Sequence, residues 1–233
     1  MAGMLLLLIA CVPLYYLWRI AGMRNPWPRL FLGGIARIAG ARVSITGTRA
    51  RGGAFLLSNH VSWLDIPVIA GASGSAFVAH SGLAEIGLLR WLCRMNDTVF
   101  VERHNRRSVH EQVASVRAAL TDTGALTVFP EGTTSDGTGL LPFKSSLLSA
   151  LDPPPPDIAI QPLWVDYGPD SAAIAWVGDE HGLDNFLKLL ARRHAIAVTV
   201  HFLDPLRPDE TTNRKAMAAA ARNRIVAQMA LHR

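Results

Sequence analysis

Ala54-Phe55-Leu56-Leu57-Ser58-Asn59-His60-Val61-Ser62-Trp63-Leu64-Asp65 joins an apolar run to a polar cluster. The run, residues 54–57, follows Gly52-Gly53 and is rich in Phe and Leu, the pattern of a buried strand. The polar cluster then lies at the strand's exit, and Pro67 falls in the first turn of a following helix. His60 and Asp65 stand five residues apart across that corner. An aspartate so placed can hold one imidazole nitrogen and leave the other to take a proton, the base-and-orienter pairing of acyl-transfer chemistry. A plainer arrangement fits the same residues: Ser62 and Asp65, at i and i+3, cap the helix and His60 is a bystander. This stretch alone leaves both open.

Working outward, strand-like and helix-like segments alternate. On the amino side, residues 42–47 carry Val43 and Ile45 in alternation, an edge strand. On the carboxyl side the pattern predicts a helix over 64–69, a turn over 71–75 and a strand over 76–79. A helix over 83–94 and a strand over 98–101 follow. Arg103-His104-Asn105-Arg106-Arg107 is a basic loop before a helix over 109–120. It is suited to receiving a phosphate, with Arg106 and Arg107 read as a solvated turn. Residues 125–129 form a second apolar run. Residues 143–151 predict a helix closed by Asp152, and prolines 153–156 a rigid extended connector. Strands over 158–165, 172–177 and 195–203, with helices over 181–193 and 212–232, complete the chain. The alternation predicts an α/β fold with a mixed, largely parallel sheet flanked by helices.

The chain has 233 residues, half of them hydrophobic, and a net charge of +5. That length suits one full core. A basic yet apolar composition fits an anionic membrane surface and argues against a nucleic acid partner. Cys11 and Cys93 are too few for a disulfide framework and read as free thiols. Residues 1–18 are almost wholly apolar, interrupted by Pro13, at the short end of the about 17–25 residues that span a bilayer. They lack the basic start and cleavage site of a signal peptide. Arg19, Arg24, Arg29 and Arg37 all follow the apolar run, which places the main domain on the cytoplasmic face of the inner membrane. Leu30, Phe31, Gly34, Ile35 and Ile38 have the spacing of an interfacial amphipathic helix; a helix pair packed under the sheet is the alternative. The expected division is residues 1–40 as membrane-associated helices and residues 41–233 as the α/β domain.

Several other chemistries are disfavoured. Gly132-x-x-x-x-Gly137 is followed by Thr138 where a phosphate loop needs lysine. No Gly-x-Ser-x-Gly nucleophile elbow occurs, and the eight histidines show no zinc-binding spacing, so no metal site is expected. His80, His181 and His201 are read as structural or surface residues.

The second apolar run ends in Phe129-Pro130-Glu131-Gly132-Thr133-Thr134-Ser135. With the first stretch it resembles the glycerolipid acyltransferase family, the lysophosphatidic acid acyltransferases and their relatives. These carry Asn-His-x-x-x-x-Asp and, downstream, Phe-Pro-Glu-Gly-Thr. Val99-Phe100-Val101-Glu102-Arg103 resembles the family's second block and Gln161-Pro162-Leu163 its fourth. The resemblance covers residues 42–206 and implies an O-acyltransferase domain over 41–233. His60 would take the proton of an acceptor hydroxyl as it attacks a thioester, and Asp65 would fix the imidazole tautomer. Arg103 and Glu131 are implied to hold the acceptor. Backbone amides at Gly132 and Thr133 are candidate oxyanion donors. No Ser or Cys is placed beside the base as a nucleophile, so direct transfer without an acyl-enzyme is expected. No cofactor is expected beyond the co-substrate, acyl-CoA or acyl carrier protein; the other partners are a lysolipid acceptor and the membrane.

The acceptor expected first is 1-acyl-sn-glycerol-3-phosphate, giving phosphatidic acid in phospholipid biosynthesis. Two departures bear on it. Thr134 stands where many members have arginine, and Asp97 where the second block usually opens with glycine. A missing arginine weakens the case for a phosphate head group. Thr134-Ser135-Asp136-Gly137 and Leu141-Pro142-Phe143-Lys144-Ser145 look like the bacterial lyso-ornithine lipid acyltransferase branch, which supplies the alternative acceptor. Outside this class stand an acyl thioesterase, which needs no acceptor, and an inactive lipid-binding membrane protein, which would tolerate His60→Ala.

Overall fold

The strand that precedes His60, β2 (Ala54–Ser58), is buried at every position, as an unbroken apolar run must be when both faces of its sheet are covered. Its side chains alternate between two cores. Ala54 and Leu56 join Val68, Ile69 and Val200 on one face; Phe55 and Leu57 join Leu126, Leu148 and Met217 on the other. The computed structural model describes residues 2–23, 25–80, 85, 87–101, 116, 118–120, 123–154 and 157–232.

β2 lies between parallel β5 (Ala125–Val128) and parallel β6 (Ala159–Asp166), with Leu57 opposite both Val128 and Pro162. Outward from β5 come β3 (Ala76–His80) and β4 (Val99–Val101); outward from β6 come β7 (Ile196–Phe202) and the edge strand β1 (Ala41–Gly47). Only the β6–β7 pair among these is antiparallel. The sheet is therefore mixed and largely parallel, with helices on both faces.

On one face lie α2 (Trp27–Ile38), α3 (Asp65–Ser73) and α6 (Gly182–Leu190); α7 (Arg214–Ala230) covers the other. α2 crosses α3 where two glycines meet: a Cβ on Gly71 would lie 2.8 Å from Gly33 Cα. Arg29 of α2 donates to the Gly71 and Ala72 carbonyls at 3.1 and 3.2 Å, satisfying acceptors that the last turn of α3 leaves without helical donors. α1 (Ala2–Ile20) packs on α2. It is long and apolar enough to cross a membrane by length and composition, and Leu5, Leu6, Ile9 and Leu17 are exposed along it. α4 (Gly87–Met95) reaches α1 through Trp91, whose ring N–H donates to the Tyr16 hydroxyl at 3.1 Å.

Three expected elements differ. Residues 172–177 are not a strand: Ser171–Ile174 is the short helix α5. Ser, Ala and Ala continue the turn begun at Gly168–Asp170, and the Trp176 amide beyond them donates to Val61 O instead of to a strand. The helix expected over 143–151 is a 3₁₀ helix, Ser145–Leu151; its three-residue repeat puts Leu148 and Leu151 together in the core. The turn expected over 71–75 starts only at Gly74, because α3 continues to Ser73 and ends on that glycine's left-handed conformation. The basic loop 103–107 and most of the helix expected over 109–120 lie outside the described residues.

Candidate active site

Because β2 and β5 run parallel and in register, residues 58–60 and 129–131 leave the sheet side by side at its carboxyl edge, the edge at which open α/β sheets build their sites. His60 Nδ1 and Asp65 Oδ2 are 2.8 Å apart. Asp65 is completely buried, whereas the imidazole is 18% exposed. The same Oδ2 accepts the amides of Val61 and Ser62 at 2.7 and 3.0 Å, and Oδ1 accepts the Tyr167 hydroxyl at 2.7 Å. The Asp65 carboxylate thus meets the imidazole and reaches back to the Ser62 amide, whereas the start of α3 has no side-chain cap. A proton on His60 Nδ1 would satisfy the contact with Asp65 and leave Nε2 free to accept one. Phe129 stacks on the imidazole at 4.0 Å and 15°.

Glu131 is 1% exposed. Its Oε1 accepts the His60 amide at 2.7 Å and its Oε2 the Leu141 amide at 2.8 Å. Burial pushes its carboxyl up to about 7, against the pull of those two bonds. The structure therefore brings Glu131, expected to hold the acceptor, against the His60 main chain, with both oxygens held by main-chain amides. Gly132 has φ 71°, and a Cβ there would crowd Lys144, 3.1 Å from Nζ. Its amide donates to Phe129 O at 3.0 Å and closes the turn. That bond gives the Gly132 N–H, expected as an oxyanion donor, an acceptor within its own turn. Among the described residues the Thr133 amide has no such partner. Arg103 lies outside the described residues.

A model of the family described as Acyltransferase matches residues 42–166. The chain belongs to the acyltransferase family. The lyso-ornithine lipid O-acyltransferase of Brucella abortus is 31% identical over 96% of this chain and 90% of that protein. The one of Rhizobium meliloti is 33% identical over 97% and 83%. The 1-acyl-sn-glycerol-3-phosphate acyltransferase of Neisseria meningitidis is 37% identical over 43% of this chain and 40% of that protein. The crystal structure of the 1-acyl-sn-glycerophosphate acyltransferase of Thermotoga maritima shares the fold, with a TM-score of 0.60 at 21% identity over 92% of this chain and 87% of that one.

Around the histidine this acyltransferase has supports that no spacing rule singles out. Asn59 accepts the Val165 amide at 2.8 Å and donates to the Val165 carbonyl at 3.0 Å, stitching the corner to β6. The Ser135 amide donates to His60 O at 2.7 Å. The Thr134 hydroxyl donates to the Trp176 carbonyl. Asn59 and Phe129 sit inside the two motifs, so their position could have flagged them. Tyr167 could have been found only as a lone polar aromatic directly after an apolar strand. Among the described residues, no group of three His, Cys, Asp or Glu is placed to hold a metal ion.

Proposed function

We propose that this acyltransferase transfers an acyl chain from a thioester, acyl-CoA or acyl carrier protein, to the hydroxyl of a lyso-ornithine lipid at a membrane. The observation that carries the choice of acceptor is Thr134, whose hydroxyl is turned into the Trp176 carbonyl where a phosphate-binding arginine is common. The relatives named for lyso-ornithine lipid match almost the whole chain, whereas the Neisseria relative matches less than half, which supports the same choice. Lysophosphatidate is the second reading, with Arg103 as its cation.

In the reaction, Nε2 of His60 takes the proton of the acceptor hydroxyl while that oxygen bonds to the thioester carbonyl carbon. Asp65 holds Nδ1–H and stabilises the imidazolium. The Thr133 amide serves the oxyanion. Collapse breaks the carbon–sulfur bond, and the leaving thiolate takes the proton back from Nε2. No further cofactor enters. The exposed apolar side of α1 supplies the membrane contact, with the α/β domain on the cytoplasmic face of the inner membrane.

The test is purified full-length protein with labelled acyl donor, offered lyso-ornithine lipid and lysophosphatidate separately. Ester formation on the ornithine acceptor is expected. Product from lysophosphatidate alone moves the assignment to the second reading, and release of free fatty acid without acceptor makes the protein a thioesterase.

A further inference from the structure

A recess of about 450 Å³ opens beside the catalytic corner, walled by residues 134–136, residues 138–141 and Val177. It is continuous with the site through main chain. Ser135 of its wall donates to His60 O, and Leu141 donates to Glu131 Oε2. Behind the wall, Arg222 of α7 holds the Leu140 and Leu141 carbonyls at 2.9 and 3.3 Å. Leu140, Leu141 and Val177 give the lining its large apolar side chains, while Thr134 and Thr138 bring hydroxyls. Asp136 is the one charged side chain among the residues lining the recess.

Asp136 is exposed and fixed in place. The Thr138 amide and hydroxyl donate to its Oδ1 at 2.9 and 2.8 Å, bonds that hold its carboxyl below the usual range. No ion pair within 4.0 Å involves it among the described residues. Gly137, at φ 76°, packs so close to α5 that a Cβ would lie 2.9 Å from Ser171 Cβ and 3.0 Å from its backbone. The turn carrying Asp136 is therefore anchored to its neighbour and cannot be rebuilt with another residue at 137.

An ornithine acylated on its α-amine presents an ammonium at the end of three methylenes, an apolar stem with a charged tip. We infer that the recess takes this side chain, its methylenes along Leu140, Leu141 and Val177 and its ammonium at the Asp136 carboxylate. The inference rests on the lyso-ornithine reading above and adds the subsite that selects the head group. The same carboxylate repels a phosphate, so it discriminates as well as binds.

The experiment uses the full chain in mixed micelles with two acceptors, N-(3-hydroxyacyl)ornithine and N-(3-hydroxyacyl)norvaline, which lacks only the terminal amine. For the wild type, the norvaline acceptor is expected to show a KM roughly three- to tenfold higher, the size of a partly exposed charged contact. Asp136→Asn should raise the ornithine KM by the same factor, leave kcat unchanged and leave the norvaline KM where it was. Equal wild-type KM values for the two acceptors, or an equal rise for both in Asp136→Asn, overturns the subsite. Acylation of lysophosphatidate with neither amino-acid acceptor used is a different failure: it removes the lyso-ornithine reading and the subsite with it, and the wild type alone reveals it.

Discussion

His60, Val61, Ser62 and Tyr167 all converge on the carboxylate of Asp65, so substitutions there separate orientation from mere support. His60→Ala removes the proposed base and should lower kcat by about 10²–10⁴. Asp65→Asn permits the wrong tautomer and should cost a similar factor, with the double variant little worse than either single one because the two act as a unit. Tyr167→Phe leaves Oδ2 and its three donors in place. Its loss in kcat should be smaller, alongside about 1–3 kcal/mol of stability from a buried acceptor left short of a donor; steady-state kinetics and thermal melts check all four. Glu131 gives a pH signature. The folded state holds its proton up to about pH 7, whereas the group's ordinary value is 4.5. The folded state thus binds more protons across that window, and stability falls as pH rises through it. The contribution is complete below about 4.5, gone above about 7, and bounded at about 3 kcal/mol. Melting temperatures measured across that range should decline more for the wild type than for Glu131→Gln. His60 and Asp65 were legible because their pairing is local. Tyr167 was not, since it lies 102 residues from its partner and reaches it only through strand order.

At the scale of elements, the glycine crossing of α2 and α3 carries the site indirectly, for Asp65 is the first residue of α3. A Cβ on Gly71 would meet Gly33 Cα at 2.8 Å, backbone that cannot rotate away; a Cβ on Gly33 would meet Gly71 Cα at 3.3 Å. Gly71→Ala should therefore cost about 1–3 kcal/mol and lower kcat by shifting α3, and Gly33→Ala should be milder in both. Melts and kinetics on the pair check the ranking, and the reverse order would sink this account of the crossing. Most strands were legible from apolar runs with turn residues on either side. Residues 172–177 were misread because a short apolar run such as Ala172-Ala173-Ile174 has no period that separates strand from helix. The 3₁₀ geometry of Ser145–Leu151 was likewise hidden, since i and i+3 pairs serve either helix type.

For the whole molecule, α1 is the feature expected to govern its partition between membrane and solution. Full-length protein should sediment with membranes and need detergent for extraction, and removal of residues 1–24 should move it towards the soluble fraction. Cell fractionation with a carbonate wash checks this, and full-length protein that stays soluble without detergent would remove the anchor while leaving the corner chemistry intact. The sheet order could not be read from the sequence, because it depends on which distant strands pair. β1 shows what that order entails. Among the described strands it pairs only with β7, Ala41 opposite Ile196 and Gly47 opposite Phe202. On the ribosome, β1 emerges well before the partner that closes it into the sheet, which follows only after β2 to β6 have been made. Until then the nascent chain exposes an unpaired strand edge, the kind that templates aggregation. A stalled or truncated message would release a product with both motifs intact and that edge uncovered, a target for chaperones and proteases and not a slower enzyme.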